Sequence, residues 1–155
     1  MRNTLQKPTP KIKVFIDTNV VIAGVNSVTG ASATILDLCE AQVLQMVVSR
    51  QVLIEADRNF AAKFPRLIGR FRQLMHNLAP LMVEDPTVES MEKAATIVDR
   101  KDAPILAAAQ KADVDFLITL DKRHFLNPKT RQKTMLKVVS PIEFLQSFEK
   151  LFLEE

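Results

Sequence analysis

Four carboxylates stand where an α/β chain collects its chemistry. The apolar run 14–16 ends in Asp17-Thr18-Asn19, and the run 116–118 ends in Thr119-Leu120-Asp121. Asp102 immediately precedes an alanine-rich segment, and Glu55 falls about a turn and a half into the helix expected after the second apolar run. Open α/β sheets gather reactive groups beyond the carboxyl ends of their strands. Parallel strands would therefore bring all four acids to one crevice. Crowded carboxylates repel one another and raise each other's pKa. A hard divalent cation removes that conflict, and oxygen-only ligands favour Mg²⁺ or Mn²⁺ over zinc. Each acid also has a plainer reading. Asp17 can bond backbone N–H groups of a turn, and Asp102 can cap a helix that carries Pro104 in its first turn. Asp121 can cap a short turn over 122–124, and Glu55 can be a solvated helix charge. Asp17 resists its plain reading most, because apolar residues 20–23 follow soon after.

The basic residues are unevenly placed. Residues 58–83 hold Arg58, Lys63, Arg66, Arg70 and Arg72 with no acid, and residues 122–142 hold Lys122, Arg123, Lys129, Arg131, Lys133 and Lys137, again with no acid. The net charge is only +3, so these are local blocks in a near-neutral chain. They are either solvated surface or contacts for a phosphate-bearing partner. On the second reading Arg58, Lys63, Lys122 and Arg123 are the candidate nucleic-acid contacts. Acids that hold a metal beside cations that hold a polyanion fit metal-assisted phosphodiester hydrolysis. His124 is the nearest candidate general base, or else covers the crevice edge. Asp99, three residues before Asp102, is read as the end of the preceding helix rather than a supporting acid. Phe64, Phe71 and Phe125 are read as core. Ser32 and Ser49 have no His/Asp partner nearby in sequence, so no serine-hydrolase signal is present. A dehalogenase-type phosphatase needs a second Asp two residues after the first, and that position is Asn19.

The elements that must position these residues follow from the apolar pattern. The runs 14–16, 46–48, 81–83, 116–118 and 138–139 are β-branched or aromatic and do not alternate with polar residues. They fit parallel strands buried on both faces. About thirty residues separate each of the first four from the next, the length of a βαβ crossover. Helices are expected over 31–41, over 50–64 with Ser49 as cap, and from Pro65 to about residue 78. Three more are expected over 87–98, over 103–111, and from Pro141 with Ile142, Phe144, Leu145 and Phe148 facing inward. The result is a three-layer α/β fold with a mainly parallel sheet. The length of 155 residues suits one domain, read as a tail over 1–10 and a single domain over 11–155. One cysteine excludes an internal disulfide and a Cys-rich zinc site, and points to a reducing, cytoplasmic location. No apolar run is long enough to cross a bilayer, so no membrane partner is expected, and the N-terminus lacks the apolar core of a secretory signal. Three glycines provide no Gly-rich phosphate loop.

Four segments carry a resemblance to a known family. They are Val14-Phe15-Ile16-Asp17-Thr18-Asn19-Val20-Val21-Ile22, Val48-Ser49-Arg50-Gln51-Val52-Leu53-Ile54-Glu55, Lys101-Asp102-Ala103-Pro104-Ile105-Leu106-Ala107-Ala108-Ala109, and Ala112-Asp113-Val114-Asp115-Phe116-Leu117-Ile118-Thr119-Leu120-Asp121-Lys122-Arg123-His124-Phe125. In this order and spacing, over about residues 11–148, they resemble the PIN-domain family, and most of all its prokaryotic toxin-type and nucleic-acid-binding members. The resemblance implies five parallel strands in the order 3-2-1-4-5. It also implies a Mg²⁺- or Mn²⁺-dependent ribonuclease leaving 5′-phosphate and 3′-hydroxyl ends. Asp17, Glu55, Asp102 and Asp121 match the family's acidic metal site, with Asn19 and Thr119 as polar supports. A small antitoxin and a homodimer are the protein partners that it implies. Leu120 departs from the Gly common at that position. The non-enzymatic alternative is a PIN-like domain that binds RNA or a protein and cuts nothing. The apolar end of the chain (Phe144, Phe148, Leu151, Phe152, Leu153) covers the domain's own core or offers a partner surface, and the first is expected.

Overall fold

The computed structural model of the protein describes residues 11–153; the tail expected over 1–10 lies outside them. In chain order the elements are β1 (Ile12–Ile16), α1 (Thr18–Asn26), α2 (Ala31–Glu40), β2 (Leu44–Ser49) and α3 (Arg50–Lys63). A 3-10 turn over Pro65–Leu67 leads into α4 (Ile68–Leu78). Then come β3 (Leu81–Val83), α5 (Val88–Ala94), α6 (Ala103–Lys111), β4 (Phe116–Ile118), α7 (Pro128–Lys133), β5 (Val138–Val139) and α8 (Pro141–Leu153). All strand pairs are parallel and the sheet order is β3-β2-β1-β4-β5. The expected architecture and order are therefore observed.

That order fixes where chemistry can sit. From β1 the chain moves outward through β2 to β3, then returns across the sheet to β4. Right-handed crossovers place helices on one face for the first movement and on the other face for the second. Helices α1 to α4 pack against one another, α8 joins them through α2, and α5 and α6 form the opposing pair, with α6 lying on β2 and β3. The strand order reverses between β1 and β4, so a crevice opens at their carboxyl ends.

The core runs through both sheet faces. Val14, Phe15, Ile16, Leu117 and Ile118 are completely buried, and α6 is enclosed by way of Ile105, Leu106 and Ala107–Ala109. Cys39 lies in this core, and burial pushes its thiol up to about 12. It is inert at neutral pH. Among the described residues no single helix is long and apolar enough to cross a membrane.

Several expectations are corrected. Helix α1 was not foreseen. Its sequence, Thr-Asn-Val-Val-Ile-Ala-Gly-Val-Asn, has no polar stripe, because it is covered by α2 and α3. Helix α7 was missed although Asn127 caps it and Pro128 opens it. The helix over 87–98 ends at Ala94. Strand β3 is not buried on both faces: it is a sheet edge, with Leu81 49% and Met82 47% exposed. Ile142 does not face inward but is 62% exposed, whereas Phe144 is buried against Phe116. Phe144 and Phe148 stack, so this end of the chain covers its own core. The side chains of 151–153 lie outside the described residues.

Gly24 lets α1 sit close to α2. A Cβ there would stand 2.4 Å from Leu36 Cδ1 and 3.0 Å from the Ser32 carbonyl oxygen. The leucine can yield; the helix backbone yields less readily. Gly24→Ala is expected to lower stability by about 1–3 kcal/mol, in the range for overpacked cores. Urea unfolding checks this, and an unchanged midpoint would mean that the α1–α2 contact is loose.

Candidate metal centre

The pairing of β1 with β4 brings Ile16 beside Ile118. The Asp17 N–H then donates to the Ile118 carbonyl at 3.0 Å, which places Asp17 next to Thr119. Asp17 caps α1: its Oδ1 accepts from the Thr18 N–H at 2.8 Å. Its Oδ2 accepts from Thr119 Oγ1 at 2.8 Å and from Asn19 Nδ2 at 3.4 Å. The plain reading of Asp17 is thus half correct, since one oxygen serves the backbone. The other points to the sheet edge. Burial raises the Asp17 pKa to about 6. The Thr119 and Thr18 hydrogen bonds pull it down, and the Glu55 and Asp121 charges push it up.

Thr119 is fully buried and works in two directions. While donating to Asp17 it accepts from the Asp121 N–H at 3.1 Å. Asn19 also spans both segments, because its Oδ1 accepts from the Leu120 N–H at 3.0 Å. The two polar supports therefore hold α1 and the β4 loop together.

Glu55 reaches the site from α3. That helix starts at Ser49, whose Oγ accepts from the Val52 N–H at 3.2 Å. Val52, Ala56 and Phe60 face the core, which leaves Glu55 half-buried at the flank. Its Oε2 accepts from Thr18 Oγ1 at 3.0 Å and its Oε1 from Gln51 Nε2 at 2.8 Å. Thr18 had no assigned role in the sequence. Its position after the cap residue was the available signal.

Asp102 stands at the cap position of α6 but does not cap it. Its backbone is helical (φ −96°, ψ −11°) and its side chain makes no capping bond. Its Oδ2 is shielded from solvent and has no hydrogen-bond partner. Burial raises its pKa; His124 and Lys101 oppose this, while Asp121 and Asp99 reinforce it. Asp99 is not the end of a helix, because α5 has already stopped at Ala94. Its carbonyl accepts from the Asp102 and Ala103 N–H groups and so sets the turn that aims Asp102. The sequence could not show this, since it depends on where α5 unwinds.

His124 joins Asp121 to Asp102 and Asp99. The Asp121 carboxylate grips it twice, Oδ1 accepting from its backbone N–H at 2.9 Å and Oδ2 lying 3.1 Å from its Nδ1. Asp102 Oδ2 is 3.8 Å from the same nitrogen, and Asp99 Oδ2 is 3.3 Å from Nε2. Among the described residues Asp99, Asp102 and His124 are the group whose donor atoms all lie within 4.8 Å of one another. Asp17 and Glu55 form a second pair linked through Thr18. Asp121 touches both sets, bonding His124 and acting on Asp17 by charge.

The residues fit a divalent cation. The donors are carboxylates with one imidazole, a buried carboxylate oxygen lacks any partner, and a second carboxyl is held far above its ordinary pKa. The candidate nucleic-acid contacts divide. Arg58 is exposed and lines a groove with Glu55, and Arg123 lines one with His124 and Asp99. Lys122 is exposed in the turn after Asp121. Lys63 lines a separate groove with Asn26 and Arg66. Lys129 and Lys133, not singled out from the second block, line the His124 groove.

Comparison with known proteins gives three solved relatives in fold. VapBC2 from Rickettsia felis, solved bound to a DNA fragment from their promoter, is 15% identical with TM-score 0.62, covering 83% of this chain and 98% of that one. FitAcB from Neisseria gonorrhoeae is 18% identical with TM-score 0.60, covering 83% and 97%. A toxin–antitoxin complex from Klebsiella pneumoniae is 19% identical with TM-score 0.58, again covering 83% and 97%. No protein with a curated description matches the chain. Residues 13–123 match the sequence model of the PIN domain.

The Asp17 carboxyl makes the metal-free protein sensitive to pH. Its pKa is about 6 when folded, against 3.8 for an ordinary Asp. Folding therefore favours the protonated form. The stability it contributes is complete below about pH 4 and is lost as pH rises through 6. In EDTA, wild type is expected to lose about 2 kcal/mol relative to Asp17→Asn between pH 4 and 7. Denaturant titrations of the two proteins across that range measure the difference; parallel curves would refute it.

Proposed function

The chain belongs to the PIN-domain family, and we propose that it is a divalent-metal-dependent endoribonuclease of the toxin type, working in the cytoplasm. The observation that carries this is an imbalance of charge. Asp17 and Glu55 meet through Thr18, Asp102 and Asp121 meet at His124, and among the described residues no Lys or Arg pairs with any of the four. Hydrogen bonds offset only part of the cost of holding several carboxylates together in a partly buried place, so the arrangement favours a cation.

In this reading Asp17, Asp102 and Asp121 hold the ion, Mg²⁺ or Mn²⁺, and Glu55 serves a second position or acts through water. The bound ion supplies Lewis-acid chemistry and acidifies water at neutral pH. The protein's own contribution is orientation and exclusion of competing bonds. Thr119 fixes Asp17 Oδ2 by donating to it. Asn19 fixes the Leu120 backbone and so the approach of Asp121. Arg58, Lys122 and Arg123, all exposed beside the acids, hold the phosphates of a single-stranded RNA. The names of the structural relatives support a small antitoxin as partner; a homodimer is the second proposed assembly.

Labelled single-stranded RNA tests the proposal. Wild type with Mg²⁺ or Mn²⁺ is expected to cleave it, and EDTA to stop cleavage. Asp17→Asn is expected to lose activity at least about a hundredfold with an unchanged circular dichroism spectrum. Equal cleavage by both proteins would place the active site elsewhere. Metal binding without cleavage of any RNA would favour a binding-only PIN domain.

A further inference from the structure

The proposed function uses four carboxylates and leaves Asp99 and His124 unexplained. Their geometry is specific. Asp121 grips His124 from two sides, through its backbone N–H and through Nδ1. A carboxylate in that position accepts a hydrogen bond from Nδ1–H and favours the tautomer that leaves the Nε2 lone pair free to bind a metal. That nitrogen faces Asp99 Oδ2 at 3.3 Å. Two acceptors facing each other repel unless something positive lies between them. Asp102 Oδ2, shielded and without a partner, turns toward the same imidazole. An ion about 2.1 Å from each donor spans donors up to about 4 Å apart. The 3.3 Å separation of Nε2 from Asp99 Oδ2 falls inside that span, and the donor atoms of Asp99, Asp102 and His124 all lie within 4.8 Å of one another.

We propose that His124, Asp99 and Asp102 form a mixed nitrogen–oxygen subsite that selects a first-row transition ion such as Mn²⁺ over Mg²⁺. The inference rests on the reading of the acidic cluster as a metal centre. It adds a nitrogen ligand from outside the four acids and a preference among ions. Mg²⁺ is bound through oxygen and gives up its water reluctantly. Imidazole suits transition ions, so one such donor shifts the balance between the two. Asp121 then serves both halves of the centre, as a donor beside Asp17 and as the carboxylate that orients His124. The Arg123 and Lys133 side chains line the adjoining groove, where a phosphate could meet an ion held by His124.

Pulsed electron paramagnetic resonance of the metal-free full chain loaded with Mn²⁺ alone is the test, with Mg²⁺ as competitor. Wild type is expected to show coupling of Mn²⁺ to an imidazole ¹⁴N and to bind Mn²⁺ at least tenfold more tightly than Mg²⁺. His124→Ala should abolish the coupling and weaken Mn²⁺ about tenfold, while Mg²⁺ affinity changes less than about twofold. Asp99→Asn, at a largely exposed position, should weaken Mn²⁺ and keep the coupling. If His124→Ala fails to fold, the wild-type ¹⁴N signal still decides. Mn²⁺ bound to wild type without ¹⁴N coupling would overturn the subsite and make His124 an ion-pair partner only, leaving the four-acid centre intact. No Mn²⁺ binding at all would overturn both.

Discussion

A carboxylate buried at the end of a central strand governs this structure. Asp17 lies between two layers of helices, where a charge is disfavoured by desolvation. Hydrogen bonds from the Thr18 N–H and Thr119 Oγ1 offset part of that cost. The rest appears as a pKa near 6. Both hydrogen bonds depend on the fold. The first needs α1 to begin at residue 18, and the second needs β4 beside β1 in the register that aligns Ile16 with Ile118.

The remaining parts of the centre are coupled to that residue through short paths. Gly24 allows α1 to lie against α2, and at the start of α1 Thr18 donates to Glu55 of α3. Ser49 starts α3 in the phase that turns Glu55 to the crevice and Val52 to the core. On the other side the Asp99 carbonyl shapes the turn before α6, so Asp102 lies at the helix start without spending its carboxylate on the helix. Asp121 is fixed through Thr119 and in turn fixes His124. Each acid is thereby held by a local feature of the fold, and in the proposed function a divalent ion would resolve the electrostatic conflict among them.

Much of this was legible in the sequence because buried parallel strands read as unbroken apolar runs. The runs at 14–16 and 116–118 gave the two central strands and the acids that follow them. The match of motifs to the PIN family supplied the sheet order, which composition alone does not. Other features escaped for physical reasons. Helix α1 is enclosed on several sides and lacks the polar face that marks a helix. Strand β3 is as apolar as the inner strands yet lies at an edge, a distinction made only by its neighbours. Ile142 shares its first turn with inward-facing Phe144, but at the start of α8 it points to solvent. The part played by Asp99 depends on an unwound stretch after α5, and the part played by His124 on a contact with Asp102 twenty-two residues away in sequence.

The proposed metal centre requires carboxyls, Asp17 above all, that ionise fully when a divalent cation binds. Calorimetric titration of the metal-free protein with Mn²⁺ at pH 6, in two buffers of different ionisation enthalpy, tests it directly. Binding must displace the proton that the Asp17 carboxyl carries in about half the molecules at that pH. The account predicts a saturable heat that differs between the buffers by about half a proton per ion, and a difference that disappears in Asp17→Asn. A heat independent of buffer, or no saturable binding, would contradict it.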